Sequence, residues 1–151
     1  MFTEKQYFYK NKIVWILLLL FILILFTTGL NTGFKVVNLT PSIVFFILIL
    51  FFSFMNLQTH IDAVGIHYRY FPFIFKQKTI EWSAIEYISV GEYNPIGDFG
   101  GWGIRGWGKR RALNVYGNKG IQIKFKNGDF LLLGTNKMEE AAKIISTYFA
   151  K

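Results

Sequence analysis

The stretch GGWGIRGWGKRR, Gly100 to Arg111, carries two overlapping phosphate-cradling patterns. It fits G-x-G-x-x-G from Gly101 to Gly106 and falls one residue short of G-x-x-x-x-G-K-[ST] from Gly103 to Arg110. Either pattern would hold a nucleotide by turning backbone N–H groups toward phosphate oxygens, provided that a strand leads in and a helix opens at the last glycine. Here Trp107-Gly108 follows and then ALNVY, a strand pattern, so no helix begins. Arg110 stands where a Ser or Thr hydroxyl would hold magnesium, and Asp129 lies well past Gly106 beside a turn, out of place for a ribose. The spacing argues against nucleotide chemistry, and no cofactor is expected.

The same stretch holds two indoles, Trp102 and Trp107, and four cations, Arg105, Lys109, Arg110 and Arg111. One reading is a long β connection that needs positive φ at several glycines, with the indoles packed on the sheet. The other is a contact loop facing a membrane or a partner. Trp favours interfaces, and clustered cations attract anionic lipid head groups at roughly 1 kcal/mol each. The two are compatible if one Trp is buried and the other projects. These six side chains are the candidate membrane or partner contact.

Elsewhere the chemistry is thin. His60 and His67 flank one expected turn, with Asp62 between them, and two His without a placed carboxylate make a poor metal site. Asp98 and Glu92 show no perturbing pocket for acid–base work. No Ser/His/Asp arrangement is visible, and the chain has no Cys, which removes thiolate chemistry and Cys-ligated zinc. No catalytic and no metal site is expected, and the chain reads as no enzyme.

The elements that must carry the loop are set by composition. The 151 residues are 52% hydrophobic and 19% aromatic, with a formal net charge of +8. That much apolar residue in so short a chain points to solvation by lipid, and the basic balance to an anionic neighbour. Two uncharged runs, 13–30 and 41–57, have lengths near that of a spanning helix and a short connection between them. They predict a transmembrane hairpin over 13–57, with Thr40 as N-cap and Pro41 as first helical residue of the second span. Lys5, Lys10 and Lys12 precede the first span, Lys35 alone lies in the connection, and the remaining cations follow the second. The cation bias puts residues 1–12 and 58–151 on the cytoplasmic side of the cell membrane. A cleaved signal peptide is the competing reading of the first run.

Past Leu57 the period becomes alternating. IHYRYFPFIF, TIEW, YISVGEY, ALNVY, IQIKF and DFLLLG read as strands, SAIE as a short helical turn, and Asn127-Gly128 as a type I′ hairpin turn. NKMEEAAKIISTYFAK turns to helical spacing, with Asn136 as N-cap and an apolar stripe from Met138 to Phe149. About seven strands and one amphipathic helix predict a bent antiparallel sheet or barrel capped by a C-terminal helix.

That order of elements, with GGWGIR, NVYGNKGIQIKF and LLLGTNKMEE, resembles the bacterial pleckstrin-homology-like (PH-like) domains of small membrane proteins that carry a hydrophobic hairpin. The resemblance covers nearly the whole chain, most specifically Glu92 to Glu140. It implies a noncatalytic scaffold for protein or lipid contact, presented at the cytoplasmic membrane face, whose partners would be the lipid bilayer with its anionic head groups, an unknown protein, or a second copy. An accessory subunit of a transporter or membrane enzyme, docked through the hairpin, is the alternative. Nucleic acid is not expected as a partner, since aromatic residues alternating with base-contacting cations are not evident.

Overall fold

The computed structural model describes residues 1–33 and 39–149. The chain divides into two compact units, one made of Met1–Gln6 with Asn56–Lys151, the other of Tyr7–Met55.

The first unit begins at the N-terminus with strand β1, Phe2–Tyr7, whose Phe2, Glu4 and Gln6 are buried while Thr3 and Lys5 are exposed. After the second unit the chain resumes with β2 (Asn56–Ile61), β3 (Gly65–Phe71) and β4 (Ile74–Glu81), and the first sheet has the order β1-β2-β3-β4. A one-turn 3-10 segment at Trp82–Ala84 then leads to β5 (Ile85–Glu92). A short helix α3 (Pro95–Phe99) precedes β6 (Gly103–Trp107), β7 (Arg110–Asn114), β8 (Lys119–Phe125) and β9 (Phe130–Gly134), and helix α4 (Met138–Phe149) follows. The second sheet has the order β5-β8-β9-β7-β6, with β7 and β9 parallel and the other pairs antiparallel.

Alternation explains most of this. In β8, Ile121 and Ile123 are fully buried while Gln122 and Lys124 face out, as a strand with one wet face requires. Leu57, Ile61, Ile66, Tyr70, Val115 and Leu131 to Leu133 are fully buried with them, as are the polar Asn114 and Thr135. Helix α4 packs on β5, β8 and β2, burying Ala141 and Ile145, and its last turn puts Tyr148 and Phe149 against Trp82 at ring distances of 6.1 and 6.2 Å. Its N-cap is Lys137, whose carbonyl accepts from Ala141 N at 2.9 Å, rather than Asn136.

Burial is not confined to apolar residues. Glu4 accepts from Thr135 Oγ1 at 2.5 Å and from Asn136 N at 2.9 Å, and Gln6 Nε2 donates to the Gly134 carbonyl at 2.8 Å. The first strand is thus tied by polar bonds to the segment that opens α4.

The expected single bent sheet of about seven strands is corrected: the described residues form nine strands in two sheets. The segment 1–12, to which the sequence pattern assigned no element, supplies a strand of the first sheet, and the parallel β7–β9 pair breaks an all-antiparallel order. The Asn127-Gly128 turn is also different. Phe125 N donates to Asp129 O, so three residues, Lys126 to Gly128, form the loop, with Gly128 at φ 84°. A three-residue loop needs one left-handed position, and glycine fills it.

The second unit holds two helices, α1 (Lys12–Thr32) and α2 (Leu39–Phe54). The Phe21 and Phe45 rings approach to 4.8 Å and Phe8 stacks on Phe52 at 5.2 Å, while most aliphatic side chains of both helices face outward. Among the described residues, no helix is long and apolar enough to cross a membrane. The expected fold, a transmembrane hairpin with spans at 13–30 and 41–57, is therefore corrected, and with it the expected integral location in the cytoplasmic membrane. The reason is length. The unbroken apolar run of α1 stops at Phe26, before Thr27, Thr28 and Gly29. From Ile13 that run is ~21 Å long, and the 16 residues of α2 make ~24 Å, against the ~30 Å of a hydrocarbon core. Thr27 and Thr28 both return their hydroxyls to the Ile24 carbonyl. Lys35, on which the topology reading drew, lies outside the described residues, as does most of the connection between the helices. Thr40 lies inside α2, which opens at Leu39, and is not its N-cap.

Candidate functional site

The glycine-rich stretch is a rigid assembly, built in three steps. Asn94 caps α3 by accepting from Gly97 N at 2.9 Å, and Asp98 returns a bond from Asn94 N at 2.8 Å, a reciprocal cap on a single turn. Asp98 is thus a structural carboxylate, and Glu92 lies across from Lys119 in the β5–β8 register. The helix stops at Gly100, φ 70°, where Gly100 N and Gly101 N donate to the Ile96 and Pro95 carbonyls.

The chain then meets a fully buried asparagine. Asn114 Oδ1 accepts from Gly103 N at 2.8 Å, its Nδ2 donates to the Tyr93 hydroxyl at 2.8 Å, and its carbonyl accepts from the Tyr70 hydroxyl at 3.1 Å. Burial pushes both phenols above their ordinary range, so each stays protonated and able to donate. No sequence signal marked Asn114, because an Asn inside a strand pattern reads as a neutral polar residue until its neighbours are known.

Strands β6 and β7 close as a hairpin with Gly103 opposite Asn114 and Trp107 opposite Arg110, leaving Gly108-Lys109 as a two-residue turn. Gly108 has φ 60°, as the tight primed turns require. Gly106 sits opposite Arg111 with φ 79°, and a Cβ there would lie 2.1 Å from the Arg110 carbonyl oxygen, so only glycine fits. Where a dinucleotide fingerprint would open a helix at its last glycine, this chain continues a strand.

The structure separates the two indoles. Trp102 is half-buried and donates its indole N–H to the Gly117 carbonyl at 2.8 Å; Trp107 is 95% exposed at the hairpin tip. It also sorts the cations. Directly opposite residues share a face of an antiparallel pair, which places Arg105, Trp107 and Arg110 together and Arg111 on the other face. Arg105 is tied back, its Nε donating to the Trp102 carbonyl at 2.9 Å. Arg110 lies over the Phe99 ring at 5.1 Å and the Phe130 ring at 5.8 Å, a cation–π sandwich that anchors the hairpin. Lys109 occupies the turn. Among the described residues none of these four cations forms an ion pair.

On the first sheet the register sets His60 opposite His67, with ring centroids 5.6 Å apart. Asp62 bridges them, with carboxylate oxygens 3.4 Å from His60 Nε2 and 3.1 Å from His67 Nε2, and also accepts from Val64 N at 2.8 Å. The His67 hydrogen bond, then the Val64 N–H, holds the Asp62 carboxyl down at about 2. The two histidines expected to flank one turn and the Asp62 between them satisfy one another, and no group of metal-ligating residues among those described could hold an ion.

No family model matches the chain, and no curated protein and no solved structure does either. The resemblance to PH-like membrane proteins has the sequence motifs for its support and nothing further.

Proposed function

We propose that the chain is a noncatalytic binding module whose contact element is the β6–β7 hairpin, and that its partner is a protein surface carrying negative charge around an apolar pocket. The observation that supports this is the pairing of one almost fully exposed indole, Trp107, with Lys109 and the guanidinium groups of Arg105 and Arg110, none neutralised by an acid among the described residues. A surface Trp exposes a large apolar area for no internal return, and Trp and Arg dominate the energetics of interfaces once desolvated. The hairpin is held rigid from beneath by Asn114, Trp102 and the Arg110 stack, so little ordering cost attends binding. The accessory-subunit reading drew its docking element from the expected transmembrane hairpin, which is corrected above.

The test is a photo-crosslinking residue at position 107 of the full chain, with position 127 on the other hairpin as control. The expected result is a discrete protein adduct at 107 alone, which Lys109→Glu at the exposed turn removes. Adducts equal at both positions, or unaffected by charge reversal, would refute the proposal. An adduct composed of phospholipid would transfer the contact to anionic head groups.

A further inference from the structure

The outer face of the first sheet carries polar side chains in two rows that run across its strands. In the first row Thr3 of β1 bonds His60 Nδ1 at 2.8 Å and Thr79 of β4 bonds His67 Nδ1 at 2.8 Å, with Asp62 joining the two Nε2 atoms. All four ring nitrogens are engaged, so the imidazoles are fixed walls. In the second row Gln58 stands opposite Arg69 in the β2–β3 register, with Gln77 on β4. Between the rows lies a groove of about 220 Å³, lined by Thr3, Gln58, His60, His67, Arg69 and Gln77 among others.

The floor of this groove is unbalanced. Arg69 Nε is buried and has no hydrogen-bond partner, and no ion pair to Arg69 is formed among the described residues. Asp62, a carboxylate of this face, is committed to both imidazoles and to the Val64 and Gly65 N–H groups. Gln58 donates an amide proton to Asn56 Oδ1 at 2.9 Å, and neither its carbonyl oxygen nor any other acceptor is bonded to Arg69 Nε. A buried N–H without an acceptor is costly, and here that atom is Nε alone, on a side chain that is half-buried as a whole. An arginine fork matches the oxygens of a carboxylate or phosphate, which can take two of its donors at once. The volume lies below the range of roughly 300–1,000 Å³ typical of drug-sized ligands, so the occupant is small.

We propose that this groove binds a small oxyanion, a phosphate or a carboxylate, with Arg69 as its principal partner, the Gln77 amide as a second donor, and the two imidazoles as its walls. The site is on the other sheet from the Trp107 hairpin and does not depend on that contact.

The test is calorimetric titration of the full chain with inorganic phosphate and, separately, acetate, at constant ionic strength set with chloride. Saturable binding of at least one anion is expected, weakened about tenfold or more by Arg69→Gln and also by Arg69→Lys, which keeps the charge but loses the fork. Lys109→Gln at the hairpin turn should leave it unchanged. Tighter binding of phosphate would mark a phosphate-bearing ligand, tighter binding of acetate a carboxylate. Absence of saturable binding by the native chain overturns the proposal, as does an affinity lost in the hairpin variant and retained in Arg69→Lys.

Discussion

The tie between Glu4 and Thr135 makes the sharpest demand on the structure, because it joins residues 131 positions apart through a strand that lies outside the main run of the sheet domain. Glu4→Ala removes both acceptor oxygens. The Thr135 hydroxyl, itself buried, then loses its partner, and a hydrogen bond to a charged group is worth ~1.5–3 kcal/mol. The Asn136 N–H lies at an exposed residue and can be rehydrated, so its bond adds only ~1 kcal/mol. Desolvation of the carboxylate is recovered in the variant, which offsets part of the loss. The expected destabilisation is about 2–3 kcal/mol.

A double-mutant cycle isolates the contact. Thr135→Val removes the hydroxyl, which also accepts from Lys137 N at 3.1 Å, so its own cost includes that second bond; the cycle cancels it. In urea denaturation of the full chain, Glu4→Ala and Thr135→Val should couple by about 1–2 kcal/mol. A coupling under about 0.5 kcal/mol, at the level expected of distant independent sites, would mean that β1 does not dock where the structure places it. The same geometry predicts that residues 58–151 alone, stripped of β1 and of the fully buried Leu57, unfold at lower urea than the full chain.

Three further outcomes follow from the geometry. Gly106→Ala forces a Cβ to within 2.1 Å of the Arg110 carbonyl at a φ of 79°, and should destabilise the chain by about 2–4 kcal/mol in the same assay, whereas Gly108→Ala at the open turn should cost less. Tyr70→Phe removes the donor to the Asn114 carbonyl and should cost ~1 kcal/mol, with Asn114→Ala costing more because Gly103 N and the Tyr93 hydroxyl also lose their partner. Asp62 has its folded pKa lowered from 3.8 to about 2, so its contribution is complete above the unfolded value and is lost as pH falls through the folded one. The urea midpoint of the native chain should therefore drop between pH 4 and pH 2 more steeply than that of Asp62→Asn, and parallel profiles would count against the bridge to His67.

How much of this was legible follows from what each residue faces. Strands such as β8 could be read because Ile121 and Ile123 alternate with Gln122 and Lys124, and a period of two has no other cause. Strand β1 could not. Its inward residues are Phe2, Glu4 and Gln6, so the alternation runs polar against polar, and the signal that it is buried lies in Thr135 and Gly134 at the other end of the chain. The membrane spans were misread because the counted run included Thr27 to Leu30; an apolar window does not distinguish a hydrocarbon-spanning helix from a shorter one with a polar end. The two-residue turn was assigned to Asn127-Gly128 and found at Gly108-Lys109. With glycines at 106 and 108 the stretch permits several registers, and what selects one is the close approach of Gly106 to the Arg110 carbonyl.

The sites show the same division between local and distant information. Trp102 and Trp107 are alike in sequence, yet one indole finds a carbonyl at Gly117 and the other projects at the tip, a difference set by the β7–β8 connection fifteen residues downstream of Trp102. The four cations are contiguous or nearly so, but the pairing of β6 with β7 divides them between two faces, and Phe99 and Phe130, from α3 and β9, hold the exposed Arg110 guanidinium in place. His60, Asp62 and His67 converge only because their turn sets the two histidines directly opposite, and the same register sets Gln58 opposite Arg69. Side-chain type told which groups were available for contact. Strand register decided which of them are spent inside the fold and which, like Trp107 and the Arg69 Nε, are left with something to bind.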